Sequence, residues 1–344
     1  MNPLLRTLLL PPSWLWLAAV SLRNRRYDRP ENVLRAPVPV VSVGNLTVGG
    51  TGKTPLVAWV AQRLLALGRR PAIVSRGYGG SAGLGPVIVS RGDGPLCDAS
   101  LAGDEPWWLA SRLPGARVVV GSDRLGAAVA AASAGADVVV LDDGYQHRRL
   151  ARDLDLVLLD STDPFGGGRM LPAGRLREPI GALRRAHVVL ITRSAPGQAR
   201  PDIEREVRRH NPTARILLAG HRPIGFVDAA GHPATAPRRV LAFCGIADPR
   251  GFRLDLEREG LEVVGFRSFR DHHAYRPGEL AAMRALAQRA EATLVTTEKD
   301  LARLGALRPN DTVRPVLAQR IEARVDDPET LLAELRRVAG RSAP

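Results

Sequence analysis

The stretch 40–66, VVSVGNLTVGGTGKTPLVAWVAQRLLA, constrains the fold of this chain more than any other. The β-branched apolar run 40–43 predicts a buried strand, and apolar residues at helical spacing from Leu56 onward predict a helix. The loop between them has three glycines within 49–52, so its backbone N–H groups can converge on an anion without obstruction by Cβ atoms. A strand that enters a helix through such a loop predicts a phosphate-binding P-loop.

The residues that follow the glycines indicate which phosphate this loop binds. Lys53 is placed to reach the β- and γ-phosphates of ATP, the Thr54 hydroxyl is a ligand for Mg²⁺, and Pro55 lies in the first helical turn, where a missing N–H is harmless. The strict pattern has glycine where this chain has Thr47, so the paired glycines after it must supply the flexibility. A chance GKT in a glycine-rich turn is the alternative, but strand, loop and helix together favour a P-loop.

Composition narrows the class of protein. At 344 residues with 45% hydrophobic residues, the chain can fold as one large or two ordinary domains. Its net charge of +14 suits nucleic acid, an anionic membrane or an acidic substrate, but 4% aromatic residues and no nucleic-acid-binding motif argue against nucleic acid. Of its 49 basic residues only Lys53 and Lys299 are lysine. Cys97 and Cys244 are too few for a disulfide framework, which indicates a reducing compartment.

The N-terminal segment 1–26, MNPLLRTLLLPPSWLWLAAVSLRNRR, is interrupted by Arg6 and two prolines, so it is too short to span a bilayer. Trp14 and Trp16 beside leucines, followed by arginines, are instead typical of a segment in the headgroup region of an anionic membrane. A helix packed on the body of the protein is the main alternative. A cleaved signal peptide would export a nucleotide-binding protein away from its nucleotide.

Alternating strand and helix patterns predict an α/β fold with a mostly parallel sheet, helices on both faces and ligands at the strand carboxyl ends. Periodicity fails near 220–237, where we place a domain boundary. The predicted segments are an amphipathic membrane-associating segment at 1–35, a P-loop domain at 36–222 and a smaller α/β domain at 223–344. Predicted strands are 72–75, 87–90, 118–120, 138–141, 156–159, 188–192, 240–243, 263–266, 294–297 and 313–318.

Acidic residues follow several of these elements. The strand that ends in Asp142 and Asp143 predicts a Walker B carboxylate for Mg²⁺, with an ordinary strand-end turn as the alternative. The pair 104–105 in GDEP opens a helix, where carboxylates also serve as caps. The run 271–273, Asp-His-His, is a weak metal site but a standard way to position a proton acceptor.

Eight motifs in order, spread over nearly the whole chain, resemble the tetraacyldisaccharide 4′-kinase family, the lipid A 4′-kinases of Gram-negative bacteria. The motifs are GNLTVGGTGKTP, SRGYGG, GDEP, LDDGYQHRRL, LPAGRLREP, FCGIADP, FRDHHAY and TEKD. The resemblance implies a kinase that uses ATP and Mg²⁺ to phosphorylate the 4′-hydroxyl of a tetraacylated glucosamine disaccharide 1-phosphate. It also implies a peripheral enzyme at the cytoplasmic face of the inner membrane, without nucleic acid or an obligate protein partner.

The resemblance further implies roles for individual residues, as follows. The catalytic residues are Asp104, His272 and Lys53. The nucleotide-binding residues are Gly49, Gly50, Thr51, Gly52, Lys53, Thr54 and Asp143. The metal ligands are Thr54, Asp142 and Glu105, and the substrate-binding residues are Gln146, His147, Arg175 and Arg177. Family members often carry asparagine where this chain has Ala247-Asp248, so we expect that loop to lie outside the site. Because Asp104 and His272 fall in different predicted domains, we expect a hinge closure to bring them together.

Two other functions remain open at this stage. A membrane-recruited P-loop switch ATPase would carry a signature lysine before the paired glycines, where this chain has Val48. A soluble small-molecule kinase would have an N-terminal helix that is merely packed. Dependence of ATP turnover on lipid distinguishes the three.

Overall fold

The computed structural model describes residues 7–81, 83, 85–194, 197–304 and 315–341, and the first six residues of the predicted membrane segment lie outside them. Strands and helices alternate along the chain around one sheet, which confirms the predicted α/β class. The strands are β1 Val40–Asn45, β2 Pro71–Ser75, β3 Val87–Ser90, β4 Arg117–Val120, β5 Val138–Asp142, β6 Leu154–Asp160, β7 Val188–Thr192, β8 Arg215–Val227, β9 Pro233–Ala234, β10 Arg239–Cys244, β11 Glu262–Ser268, β12 Thr293–Thr297 and β13 Leu317–Val325. The helices are α1 Leu10–Tyr27, α2 Lys53–Ala66, α3 Ala99–Ala102, α4 Asp104–Arg112, α5 Arg124–Ser133, α6 Pro201–His210, α7 Pro249–Arg258, α8 Pro277–Arg289, α9 Glu298–Leu304 and α10 Pro328–Ala339.

The strand order across the sheet is β11-β10-β12-β13-β8-β7-β6-β1-β5-β2-β4-β3, and β9 pairs with β8. Pairing is parallel except at β3–β4, β8–β13 and β8–β9. The long strand β8 joins two units of the sheet, of which the first contains β1 to β7 and the second β9 to β13. Its residues 215–218 pair with β7, and its residues 219–227 pair with β13. The P-loop strand β1 lies between β5 and β6 at the centre of the first unit.

The first unit has helices on both faces of its sheet. Side chains of β1 alternate between the faces, with Val41 and Val43 in one hydrophobic cluster and Val40 in another. Helices α2, α4 and α10 cover the first face. Helices α5 and α6 cover the second, where Leu17 of α1 also packs. In the second unit, α8 and α9 pack on one face and α7 on the other.

Strand β8 differs most from the sequence prediction. It continues to Val227 through the stretch where the sequence shows no periodicity. Periodicity fails there because the residues after 219 alternate irregularly between exposed and buried positions. The strand predicted at 313–318 begins at Leu317 and extends to Val325, and 313–314 lie outside the described residues. The boundary at 222/223 stays a prediction, but β8 crosses it, and α10 packs in the core of the first unit.

Helix α1 is attached on one side and open on the other. The Ser13 hydroxyl donates to the Met170 carbonyl at 3.1 Å, and Asn24 donates to the Glu178 carboxylate at 2.9 Å. Trp14 and Leu15 are exposed by 64% and 73%. Within the described ranges, no helix combines the length and the apolar character needed to cross a membrane.

Candidate active site

The P-loop connects β1 to α2 at the carboxyl edge of the sheet. Gly49 and Gly52 have φ angles of 114° and 80°, which side chains with a Cβ rarely adopt. No described residue accepts a hydrogen bond from the N–H groups of 49–52, and the buried Thr51 hydroxyl accepts one from Asn45 Nδ2 at 3.1 Å. These backbone donors are therefore not used within the described structure, and their binding of a phosphate group stays a prediction.

Lys53 lies at the start of α2, and its ammonium is 3.2 Å from Asn45 Oδ1 and 3.4 Å from Asp143 Oδ1. Asp143 follows β5 with a left-handed φ of 53°, and its other oxygen accepts a hydrogen bond from Arg177 at 2.7 Å. Burial raises the pKa of Asp143, but the charges of Lys53 and Arg177 lower it by more than burial raises it. The pKa of Asp143 therefore lies below its usual value. A carboxylate thus keeps the P-loop lysine in place.

Three oxygen-bearing side chains meet beside Lys53. Thr54 Oγ1 donates to Glu105 Oε1 at 3.1 Å, and Asp142 ends β5 in a buried position where Ser75 donates to it at 3.3 Å. The pKa of Asp142 is raised to about 7, first by burial and then by the charges of Glu105 and Asp143. The structure therefore places Thr54 and Glu105 in contact, with Asp142 near enough for the charge of Glu105 to act on it.

The same group is bridged by a cation that the sequence did not predict there. Lys299 Nζ of α9 donates to Thr54 Oγ1 at 3.1 Å and to Glu105 Oε1 at 2.5 Å. The Lys299 charge outweighs burial and lowers the pKa of Glu105 to about 2. These oxygens suit Mg²⁺, which takes one or two carboxylates and leaves positions for water and phosphate. The described part of the chain contains no cluster of three or more His, Cys, Asp and Glu that could hold a metal ion by itself.

Asp104 and His272 come from different units and lie side by side. His272 Nδ1 is 3.6 Å from Asp104 Oδ2, and Arg303 Nε of α9 donates to the same oxygen at 2.7 Å. The expectation that hinge closure is needed to bring them together is therefore wrong, because the packing of α9 on α4 already does so. Burial raises the pKa of Asp104, but the neighbouring His272 ring and Arg303 guanidinium reverse that effect and leave the pKa lowered. Asp104 in turn raises the pKa of His272.

Arg303 is itself fixed by a buried network. It is 5% exposed and donates to the Asp300 carboxylate at 3.0 Å. Asp300 is fully buried and also accepts hydrogen bonds from the Tyr275 hydroxyl at 2.9 Å and the Gly245 N–H at 3.1 Å. The second unit therefore presents a rigid cation to Asp104.

The predicted substrate residues occupy two places. Gln146 accepts from Arg177 at 3.3 Å, next to Asp143. Arg175 lies over the P-loop and donates to the Val48 carbonyl at 2.8 Å. His147 Nε2 is buried without a described hydrogen-bond partner, and burial together with Arg124 lowers its pKa to about 4, so the ring is neutral at neutral pH.

A cleft of about 190 Å³ opens beside the P-loop between the two units. Ala247 and Asp248 line it, contrary to the expectation that their loop lies outside the site. Arg193 of the first unit crosses one wall, donating to the Gly50 carbonyl at 2.9 Å and lying 3.7 Å from Asp248. The cleft therefore extends from Gly50, Thr51 and Gly52 of the P-loop to residues of the second unit such as Phe252 and Lys299.

Sequence reasoning missed Lys299, Arg303, Asp300 and Arg193. A signal for Lys299 was present, since it is one of two lysines in an arginine-rich chain and belongs to the TEKD motif. Nothing in the sequence distinguishes Arg303 or Arg193 from the other arginines.

Comparison with known proteins identifies the family. The profile described as LpxK, tetraacyldisaccharide-1-P 4′-kinase, matches residues 5–339. The tetraacyldisaccharide 4′-kinase of Geobacter sulfurreducens is 44% identical to this chain, over 97% of this chain and 94% of its own length. The tetraacyldisaccharide 4′-kinase of Anaeromyxobacter dehalogenans is 48% identical, over 83% of this chain and 78% of its own length. A crystal structure of LpxK from Aquifex aeolicus in complex with ATP superimposes with a TM-score of 0.78 at 32% identity, covering 97% of this chain and 99% of that one. The chain therefore belongs to the tetraacyldisaccharide 4′-kinase family, the ATP-dependent kinases of lipid A biosynthesis.

Proposed function

We propose that this protein transfers the γ-phosphate of ATP to the 4′-hydroxyl of a tetraacylated glucosamine disaccharide 1-phosphate, at the cytoplasmic face of the inner membrane. The observation that carries this proposal is that one helix, α9, contacts both halves of a kinase site. Its Lys299 contacts Thr54 of the P-loop and Glu105, and its Arg303 contacts Asp104, which is paired with His272. Phosphoryl transfer depends mainly on positioning and on neutralising charge, and each of these groups supplies one part.

The first unit holds the nucleotide. The glycines of the P-loop offer backbone N–H groups to the β- and γ-phosphates, and Lys53 is held beside them by Asn45 and Asp143. Mg²⁺, when bound by Thr54, Glu105 and Asp142, supplies positive charge to the phosphate oxygens. Arg177 contacts both Asp143 and Gln146, and Asp143 in turn contacts Lys53.

Asp104 accepts the proton of the sugar hydroxyl in this proposal. Within the described residues, its partners Arg303 and His272 both contact Oδ2, which leaves Oδ1 for the hydroxyl. Both partners keep the carboxylate ionised, and the His272 ring next to it is the nearest group that can share the proton. Asp104 opens α4, so the carboxylate is also oriented by the start of a helix.

Helix α1 provides the membrane contact in this proposal. Its exposed face carries tryptophan and leucine, and its C-terminal turn carries Arg25 and Arg26. Trp16 Nε1 donates to the Arg177 carbonyl at 3.2 Å, so the helix reaches the segment that carries a predicted substrate arginine. An acylated substrate could therefore stay in the bilayer while its sugar enters the cleft.

The decisive experiment is transfer of radiolabelled γ-phosphate from ATP to the disaccharide 1-phosphate lipid in detergent micelles. We expect lipid-dependent transfer by the wild type and none above background by Lys53→Ala. Arg63→Ala, on the same helix α2 but outside the cleft, is the matched control and should stay active. ATP turnover without lipid would favour a switch ATPase, and transfer to a soluble sugar alone would favour a soluble kinase.

A further inference from the structure

Two cations of α9 reach the two adjacent carboxylates at the start of α4. Lys299 and Arg303 are one helical turn apart, so they project from the same side of α9. Lys299 contacts Glu105 and Arg303 contacts Asp104. One short helix of the second unit therefore neutralises both a proposed metal ligand and the proposed proton acceptor.

The position of Lys299 is the more unusual of the two. Its ammonium contacts Thr54 Oγ1 and Glu105 Oε1 together, and these are the oxygens assigned above to the metal ion. A lysine ammonium is a compact point charge with three donors, so it satisfies both oxygens much as a small cation would. A divalent ion on the same two oxygens would lie within a few ångströms of the ammonium, where the repulsion is strong.

We propose that Lys299 is a positioning residue that competes with Mg²⁺ for Thr54 and Glu105 and is displaced when the metal binds. This inference rests on the proposed metal-binding role of those two residues. Lys299 also lines the cleft beside the P-loop, so the displaced ammonium stays where nucleotide phosphates would attract it. The charge that holds Thr54 and Glu105 together without metal then becomes available to the phosphates.

A purely structural role for Lys299 makes a different prediction. As an ordinary ion pair between the units, Lys299 would contribute to stability, and its loss would leave metal affinity unchanged or weaker. As a competitor, its loss must tighten metal binding while turnover falls. Opposite changes in metal affinity and kcat are therefore the signature of the proposal.

The test measures Mn²⁺ binding to the full-length protein by electron paramagnetic resonance, with saturating ADP present. We expect Lys299→Met, which keeps the length of the side chain, to bind Mn²⁺ about tenfold more tightly than the wild type, because the competing charge is gone. Lys299→Gln should behave in the same way if the methionine variant folds poorly. Lys299→Arg keeps the charge and should retain nearly the wild-type affinity.

Arg320→Met is the matched control. It removes a cation that contacts Glu298, the neighbour of Lys299, at 3.0 Å without contacting Thr54 or Glu105. We expect its Mn²⁺ affinity to change by less than about threefold, since only distant and partly screened charge is lost.

Glu105→Gln separates failure of this inference from failure of the metal assignment. If Glu105→Gln leaves Mn²⁺ affinity unchanged, the assignment of Glu105 to the metal is wrong and the inference falls with it. If Glu105→Gln weakens Mn²⁺ binding but Lys299→Met binds Mn²⁺ no more tightly than the wild type, the inference alone is overturned.

Discussion

Asp104 shows how two charges from one unit keep a side chain of the other in a reactive form. Burial alone would raise its pKa, and the neighbouring His272 ring and Arg303 guanidinium reverse that effect. The carboxylate stays ionised at neutral pH and ready to accept a proton. Its weak basicity is not an obstacle, because in phosphoryl transfer the hydroxyl loses its proton late and positioning dominates.

Substitution of this pair should produce a large and non-additive loss of activity. We expect Asp104→Asn to lower kcat by roughly 10²- to 10⁴-fold with little change in KM for ATP, because the P-loop contacts are separate from Asp104. The double variant with His272→Gln should lose scarcely more than the worse single variant. Asp271→Asn, whose carboxylate lies 3.9 Å from the other ring nitrogen of His272, is the control.

Steady-state kinetics of these four variants and the wild type check this prediction. A loss of less than about tenfold at Asp104 would mean that it acts only as a favourable charge in the first turn of α4. Multiplicative losses would mean that His272 acts on its own.

The same pair predicts a shifted histidine titration. Asp104 raises the pKa of His272 above its usual value of 6.5. The stabilisation by this pair is therefore complete below pH 6.5 and is lost as the pH rises through the higher folded-state pKa. Nuclear magnetic resonance of the imidazole, assigned with His272→Gln, should show a pKa above 6.5 that falls in Asp104→Asn. An unchanged pKa in that variant would rule out the pairing.

At the scale of single elements, α1 combines the two alternatives that the sequence left open. Ser13 and Asn24 attach it to the first unit, as a packed helix requires, whereas its outer face is apolar, as a membrane contact requires. Deletion of the whole helix would remove its attachment to the first unit and its apolar outer face together. The outer face can instead be changed alone.

We expect the triple variant Trp14→Ser, Leu15→Ser, Leu22→Ser to lose most of its sedimentation with anionic phospholipid vesicles. Each of these side chains is more than half exposed, so the thermal midpoint should change little. Leu254→Ser with Leu286→Ser removes exposed leucines from the second unit and should still sediment with the vesicles. Binding by the wild type should also weaken as salt rises. Equal sedimentation of the triple variant and the wild type would leave α1 as packing only.

Elements also show how far sequence alone could go. The P-loop, the strand that ends in Asp142 and the GDEP helix start were predictable, because each is a local pattern with a fixed spacing. Helix α9 was not, because its seven residues are too few to show periodicity and its function lies in long-range contacts. Strand β8 was missed because it changes partners midway and its residues are irregularly exposed.

At the scale of the whole molecule, the two units share structure that a cut at 222/223 would divide. Strand β8 would be split, and α10 would be removed from the first core, in which Leu331, Leu335 and Val338 are fully buried. Each such side chain contributes about 1.5–3 kcal/mol, which together is comparable to the roughly 5–15 kcal/mol of a typical domain. The N-terminal domain predicted from sequence therefore lacks part of its own core.

We expect the fragment 36–222 to fail to fold cooperatively. In the full chain, by contrast, the first unit should unfold cooperatively in urea together with α10. Leu335→Ala should destabilise the transition of the first unit by about 2–5 kcal/mol. Leu280→Ala, in the core of the second unit, is the control. If the urea transitions of the two units are separate, it should destabilise only the transition of the second unit. A fragment 36–222 with a sharp urea transition of its own would contradict the prediction.

The placement of the two lysines has a chemical consequence. Lys53 precedes Thr54 in sequence, and Lys299 donates to the Thr54 hydroxyl, so both lysines of the chain lie beside the cleft, while every other permanently cationic side chain is arginine. An amine-specific acylating reagent can therefore modify no side chain outside this cleft, and mass spectrometry should find side-chain adducts at 53 and 299 alone. Bound ATP should suppress both adducts together, which turns ordinary lysine chemistry into a direct measure of how much of the protein holds nucleotide.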